Sequence, residues 1–134
     1  GQYDHLHLTV VQKPEILTQI NAAFQKAVGD PNMQVTYGAP TVIYVSCKNE
    51  DEEIIKGCNA GVVMENMLLE AADLGLGAVY LFGVSQVLFA NEEITKLLQI
   101  PEGFRTVSAI AVGTSADVLQ ERALGTDKIS TTTL

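Results

Sequence analysis

The chain has 134 residues, 47% apolar and 18% charged, a composition that suits one folded domain and excludes a disordered polymer. Its formal net charge of −8 leaves no basic surface to displace counterions from a nucleic acid, and no apolar stretch approaches the roughly 20 residues that a membrane helix needs. Cys47 and Cys58 form neither a disulfide framework nor a metal-ligand spacing. They read as two small buried thiols in a reducing compartment, which implies the cytoplasm.

Residues 5–12, HLHLTVVQ, alternate and then turn β-branched, the pattern of a strand. In residues 14–28, Ile16, Leu17, Ile20, Phe24, Ala27 and Val28 share one helical face. Pro14 fits the first turn of that helix, where its missing N–H costs nothing. A loop rich in breakers covers 29–40. TVIYVSC (41–47) is apolar on both faces, as a central strand is. The acidic run KNEDEE (48–53) reads as a solvated lead-in to a helix, whose N-terminus favours negative charge. That helix, about 53–74, spreads Ile54, Ile55, Cys58, Val62, Met64, Met67, Leu68, Ala71, Ala72 and Leu74 over more than one face. The spread predicts burial on several sides, against a sheet and a partner subunit.

Gly75 fits a helix C-cap. AVYLF (78–82) reads as a strand, and VSQVLFA (84–90) as a short helix capped by Ser85. NEEITKLLQI (91–100) is a helix capped by Asn91, with Ile94, Leu97 and Leu98 facing inward. Residues 101–103 turn the chain into a strand, FRTVSAIAVGT (104–114). The tail, 115–134, lacks a helical period, and its β-branched end KISTTTL suits a strand added to a sheet edge, such as a partner's. Strands alternating with helices predict, on pattern alone, a parallel α/β sheet.

Chemistry-bearing residues are few. His5 and His7 share one face of the first predicted strand but have no third ligand at a plausible spacing, so no metal site is expected. Adjacency of Asp4 and His5 is not a dyad. Glu65 and Glu70 lie on different helical faces, and Glu65, in an apolar surround, reads as a buried acid paired to a base or a helix end. No G-x-S-x-G elbow occurs and neither cysteine has a visible base, so no side chain is nominated as catalytic. Chemistry here would come from a cofactor. The Gly75-Leu76-Gly77 stretch follows a helix and opens a strand, the reverse of a dinucleotide loop. Gly83 is either a simple strand end or a place where backbone meets something flat.

Taken in order, APTVIYVSC, NAGVVMENMLLEAADLGLGAVYLFG and LLQIPEGFRTVSAIAVGTS resemble the nitroreductase family of FMN-dependent oxidoreductases, with HLTVVQKPEILTQINAA similar to the elements before them. The resemblance implies an α+β fold: an α/β/α sandwich with a central, largely antiparallel sheet, forming an intertwined homodimer with flavin at the subunit interface. It implies one domain over 1–134, short at its N-terminus. Tyr80, Leu81, Phe82 and Gly83 would face the flavin, with a backbone N–H at Phe82 or Gly83 donated to its N5 edge. Arg122 would meet the FMN phosphate. Hydride would pass from NAD(P)H through flavin to a nitroaromatic- or quinone-like acceptor. The family's RRS-like basic segment has no counterpart here, and Gln2 to Leu6 stand where an Asn-x-Gln-Pro-Trp turn is usual. This departure implies a weakened phosphate grip. It keeps two alternatives open, a dimeric module without flavin and a pocket re-used for another planar ligand.

Overall fold

The computed structural model describes residues 3–83, 87, 91–118, 120, 121, 123, 125 and 128–134. A short 3-10 turn (Tyr3–His5) leads into β1 (Leu6–Val11), α1 (Pro14–Val28), β2 (Thr41–Lys48), α2 (Glu53–Asp73), β3 (Gly77–Tyr80), α3 (Glu92–Leu97) and β4 (Phe104–Gly113). The first histidine therefore sits in the turn, and only the second in the strand. Ser85, read as a cap, lies outside the described residues.

One sheet runs β1-β2-β4-β3, and every hydrogen-bonded pair in it is antiparallel. The parallel sheet suggested by alternation is thus corrected to an α+β arrangement. The cause is an insertion. β2 and β3 do run in the same direction, joined by α2, but β4 lies between them and is antiparallel to both. β1 reaches β2 through α1 and the loop over 29–40, long enough to bring the chain back alongside antiparallel.

Helices cover both sheet faces. On one, Ile20 and Phe24 of α1, with Ile94 of α3 and Leu98, pack on Val11, Val42, Tyr44, Leu81, Ala109 and Ala111. On the other, Ala60 and Met64 of α2 pack on Val45, Cys47 and Ile110. Strand alternation sorts β2 between them, with Val42 and Tyr44 on one side and Ile43, Val45 and Cys47 on the other. In β4 the alternation slips once. Val45 pairs with Ser108 but the next residue, Ser46, pairs with Thr106, so Val107 is an extra residue bulged into the ladder.

Helix ends follow their sequence signals. Asn91 caps α3, its side chain accepting from the N–H groups of Glu93 at 3.0 Å and Ile94 at 3.2 Å. After α2, Gly75 adopts φ +70°. Its N–H donates to the Ala72 carbonyl at 3.0 Å and that of Leu76 to the Ala71 carbonyl at 2.8 Å, the paired bonds of a Schellman cap.

Two readings, of Cys58 and Glu65, are corrected on α2. It buries one stripe, Lys56, Ala60, Met64 and Ala71, while Ile54, Val62, Leu69 and Leu74 are 60–68% exposed. Within this chain the helix packs on one sheet face only, so its apolar content exceeds what the chain itself covers. Cys58 is exposed on the open side, in contrast to buried Cys47. Glu65 is likewise exposed rather than a buried, paired acid. No described helix is long and apolar enough to cross a membrane.

Candidate functional site

β3 ends at Tyr80, and the next residue is its anchor. Leu81 is 3% exposed in the α1-side core and donates its N–H to the Ala109 carbonyl at 2.7 Å. With Leu81 pinned inward, Tyr80 and Phe82 are held outward, 43% and 57% exposed. Their rings lie 6.0 Å apart between centroids, tilted by 51°. Phe82 and Gly83 begin a helical turn. N–H groups in a first helical turn have no intrahelical acceptor and point out of the helix end. A Cβ built on Gly83 would meet no atom within 4 Å, so the backbone there is open to approach. Of the four consecutive predicted site residues, Tyr80, Phe82 and Gly83 are exposed and Leu81 faces the core. The fifth, Arg122, lies outside the described residues.

Among the described residues cavities open elsewhere, two of them beside the start of β3 and the end of β4. One, of about 540 Å³, lies between the C-terminal half of α2 and the sheet, lined by residues including Ile43, Val63, Met67, Leu74 and Val112. The other, of about 440 Å³, sits where β3 starts and β4 ends, against the loop carrying Tyr37 and Pro40. Tyr80 to Gly83 contribute to neither lining; they form an open shelf at the far end of β3.

A polar cluster ties the N-terminal turn to the β2–α2 connection. His5 Nδ1 meets Asp51 Oδ1 at 2.7 Å, and the Asp51 side chain is 8% exposed. This pairing went unread in the sequence, where Asp51 is one acid in a run expected to be solvated. Lys48 Nζ reaches Asp4 Oδ2 at 3.3 Å and holds that carboxyl below the usual carboxylate range. Lys56, almost wholly buried, donates to the Asn49 carbonyl at 2.9 Å and to Glu53 Oε1 at 3.1 Å. The bond from Lys56 to Glu53, with a second from Arg105, lowers the Glu53 pKa. Burial, with Asp51 nearby, pushes the Cys47 thiol up and leaves it a poor nucleophile. Burial also raises the Tyr44 phenol. His7 packs edge-on against Phe104. Among the described residues, no group of three His, Cys, Asp or Glu side chains could hold a metal ion.

An antiparallel four-stranded sheet with helices on both faces defines the class, an α+β sandwich. The nitroreductase family model matches residues 3–114, and the chain belongs to that family. A relative from Methanothermobacter thermautotrophicus, provisionally named an NADH dehydrogenase/NAD(P)H nitroreductase, is 32% identical over 115 residues, covering 83% of this chain. The chain spans 56% of that relative's length. A nitroreductase from Bacteroides fragilis, solved with bound FMN, superposes with a TM-score of 0.79 at 21% identity, over 98% of this chain and 78% of its own. An FMN-dependent nitroreductase from Clostridium difficile superposes at 0.74 with 21% identity, over 98% and 80%. At such identities the superpositions establish the shared fold.

Proposed function

We propose that this chain is the core of an FMN-dependent oxidoreductase that moves reducing equivalents from NAD(P)H to a nitroaromatic- or quinone-like acceptor. The observation that carries the reading is the open first-turn backbone at Phe82 and Gly83, directly after β3, in a fold shared with FMN-bound nitroreductases. The residues fit the flavin edge: the absence of a side chain at Gly83 lets a planar ring come to the backbone, and an N–H at Phe82 or Gly83 donates to the N5 edge. A main-chain donor suits that task because it cannot titrate and is fixed by the Leu81 anchor. By family resemblance the phosphate falls to Arg122. FMN, when bound, supplies the hydride chemistry, so the protein needs no acid or base of its own; Tyr80, Phe82 and Gly83 bind, orient and exclude water, held in place by the buried Leu81.

The open stripe of α2, Ile54, Val62 and Leu69, is covered in this reading by a second copy of the chain, giving a homodimer of the cytoplasm. The test is a visible absorption spectrum and an FMN titration of the purified protein, followed by NADH and NADPH oxidation with a quinone acceptor. Saturable binding with a perturbed flavin spectrum and acceptor-dependent oxidation are expected. A folded dimer that takes up no FMN at high micromolar concentration would sink the reading and leave a flavin-free module in its place.

A further inference from the structure

The loop over 29–40 is tied down along α1. Asn21 accepts the Val35 N–H at 2.9 Å and donates to Gln34 Oε1 at 3.2 Å, and Gln25 donates to the Met33 carbonyl at 2.9 Å. Val35 itself is buried in the α1-side core. The next turn is closed by the Ala39 N–H, which donates to the Thr36 carbonyl at 2.9 Å. Inside it, Tyr37 and Gly38 are both left-handed, at φ +54° and +71°. A tyrosine rarely adopts that conformation, and here the surrounding bonds hold it there.

Between this fixed loop and the first half of α1 lies a further cavity, of about 320 Å³. Its polar lining is Gln12, Thr18, Asn21, Gln34 and Thr36, with no ionisable side chain. Pro14, Leu17 and Pro40 supply apolar wall. Thr18 is satisfied by the Pro14 carbonyl at 2.9 Å, and Asn21 by the loop. Gln12 donates to Thr41 Oγ1 at 3.2 Å, which leaves its amide oxygen to accept; Gln34 accepts from Asn21, which leaves its NH2 group to donate. Thr36 is 5% exposed, and its hydroxyl has no hydrogen-bond partner among the described residues. A polar group that deep ordinarily has one.

We infer that this cavity binds a small aromatic carboxamide. The ligand's carbonyl accepts from Gln34 or Thr36, its N–H donates to the Gln12 oxygen, and its ring lies among the prolines and Leu17. A carboxylate of the same shape would bring a charge that no cation in the lining meets. The inference goes beyond the proposed oxidoreductase and does not rest on it.

The experiment is an NMR titration of the full chain, without FMN, with three probes of one size. Benzamide carries the whole amide, benzoate replaces it by a charge, and acetophenone keeps the carbonyl without the N–H. Benzamide is expected to shift the side-chain amide signals of Gln12 and Gln34 saturably, with the other two weaker by about 5-fold or more, the scale of one hydrogen bond. Thr36→Val keeps the shape of threonine and breaks no bond of the unliganded protein. It is expected to match the parent in urea unfolding and to weaken benzamide by about 5-fold, whereas Thr36→Ser retains the affinity. Benzoate or acetophenone binding as well as benzamide, benzamide shifts that fall elsewhere or never saturate, or unchanged affinity in Thr36→Val each overturn the inference. None of these results bears on the flavin test, and a chain that takes up no FMN leaves the carboxamide site standing.

Discussion

Two glycines of α2 and its cap make a matched experiment on backbone energetics. Gly61 lies inside the helix and Gly75 just beyond it at φ +70°. A Cβ added at either meets no atom within 4 Å, so sterics with neighbouring groups drop out of both substitutions. At Gly75 an L-residue must take the left-handed conformation, which costs about 1–2 kcal/mol. Loss of unfolded-state freedom returns about 0.4–1 kcal/mol, so Gly75→Ala is expected to destabilise by about 1 kcal/mol. At Gly61 no such strain exists, and Ala is favoured over Gly in a helix interior by about 0.5–1 kcal/mol. The same chemical change, fourteen positions apart, thus carries opposite signs. Urea unfolding at several protein concentrations measures both, and thermal midpoints should move by roughly 3–4 °C per kcal/mol for a chain of this size. A neutral or stabilising Gly75→Ala refutes the capping argument. A Gly61→Ala that destabilises in proportion to protein concentration shows a second chain packed against the glycine, and so reports on the dimer as well.

Loss of the α3 cap in Asn91→Ala removes an acceptor for two N–H groups and should cost about 1 kcal/mol, whereas Asn91→Asp should cost little; both are read in the same urea assay. Glu53 is held below its ordinary pKa first by Lys56 and then by Arg105. Its favourable contribution is therefore complete above the ordinary glutamate range and is lost as the pH falls through the lowered value. Stability measured from neutral pH into acid should decline less steeply in Glu53→Gln than in the parent. Because the Glu53 side chain is largely exposed the difference is small, and an identical pH profile would show that the pair contributes nothing.

Local readings held where the physics is local. Asn91, Gly75 and Pro14 each mark a helix end through bonds made within a few residues, and the sequence carries all the partners. Strand direction is different in kind. β2-α2-β3 looks like a parallel crossover and is one, but insertion of β4 between the two strands depends on contacts far apart along the chain. Burial on α2 is met only on its sheet side within one chain: Ile54, Cys58 and Val62 look like core by composition, and one chain supplies only one sheet face to bury them. Asp51 failed in the opposite sense, since its acidic neighbours are solvated and only the distant His5 sets it apart. Of the candidate site, Tyr80 to Gly83 were reached through family resemblance; composition and spacing gave no reason to prefer Gly83 as contact over Gly83 as a strand end. What the structure adds is the Leu81 anchor and the exposure of Tyr80, Phe82 and Gly83 around it.

The bulge at Val107 gives β4 a change of phase. Before it, Thr106 lies across from Ser46 on the α1 side; after it, Ala109 and Ala111 lie on that side. Removing Val107 would join Thr106 to Ser108 in regular alternation, with every other residue still facing its present layer and one half-buried valine lost from the α2 core. Removing a residue between 109 and 112 would instead reverse the faces of part of the strand. The central strand of the sheet thus has one position at which the chain can shorten by a residue without exchanging core for surface, a slack link in an otherwise fixed register.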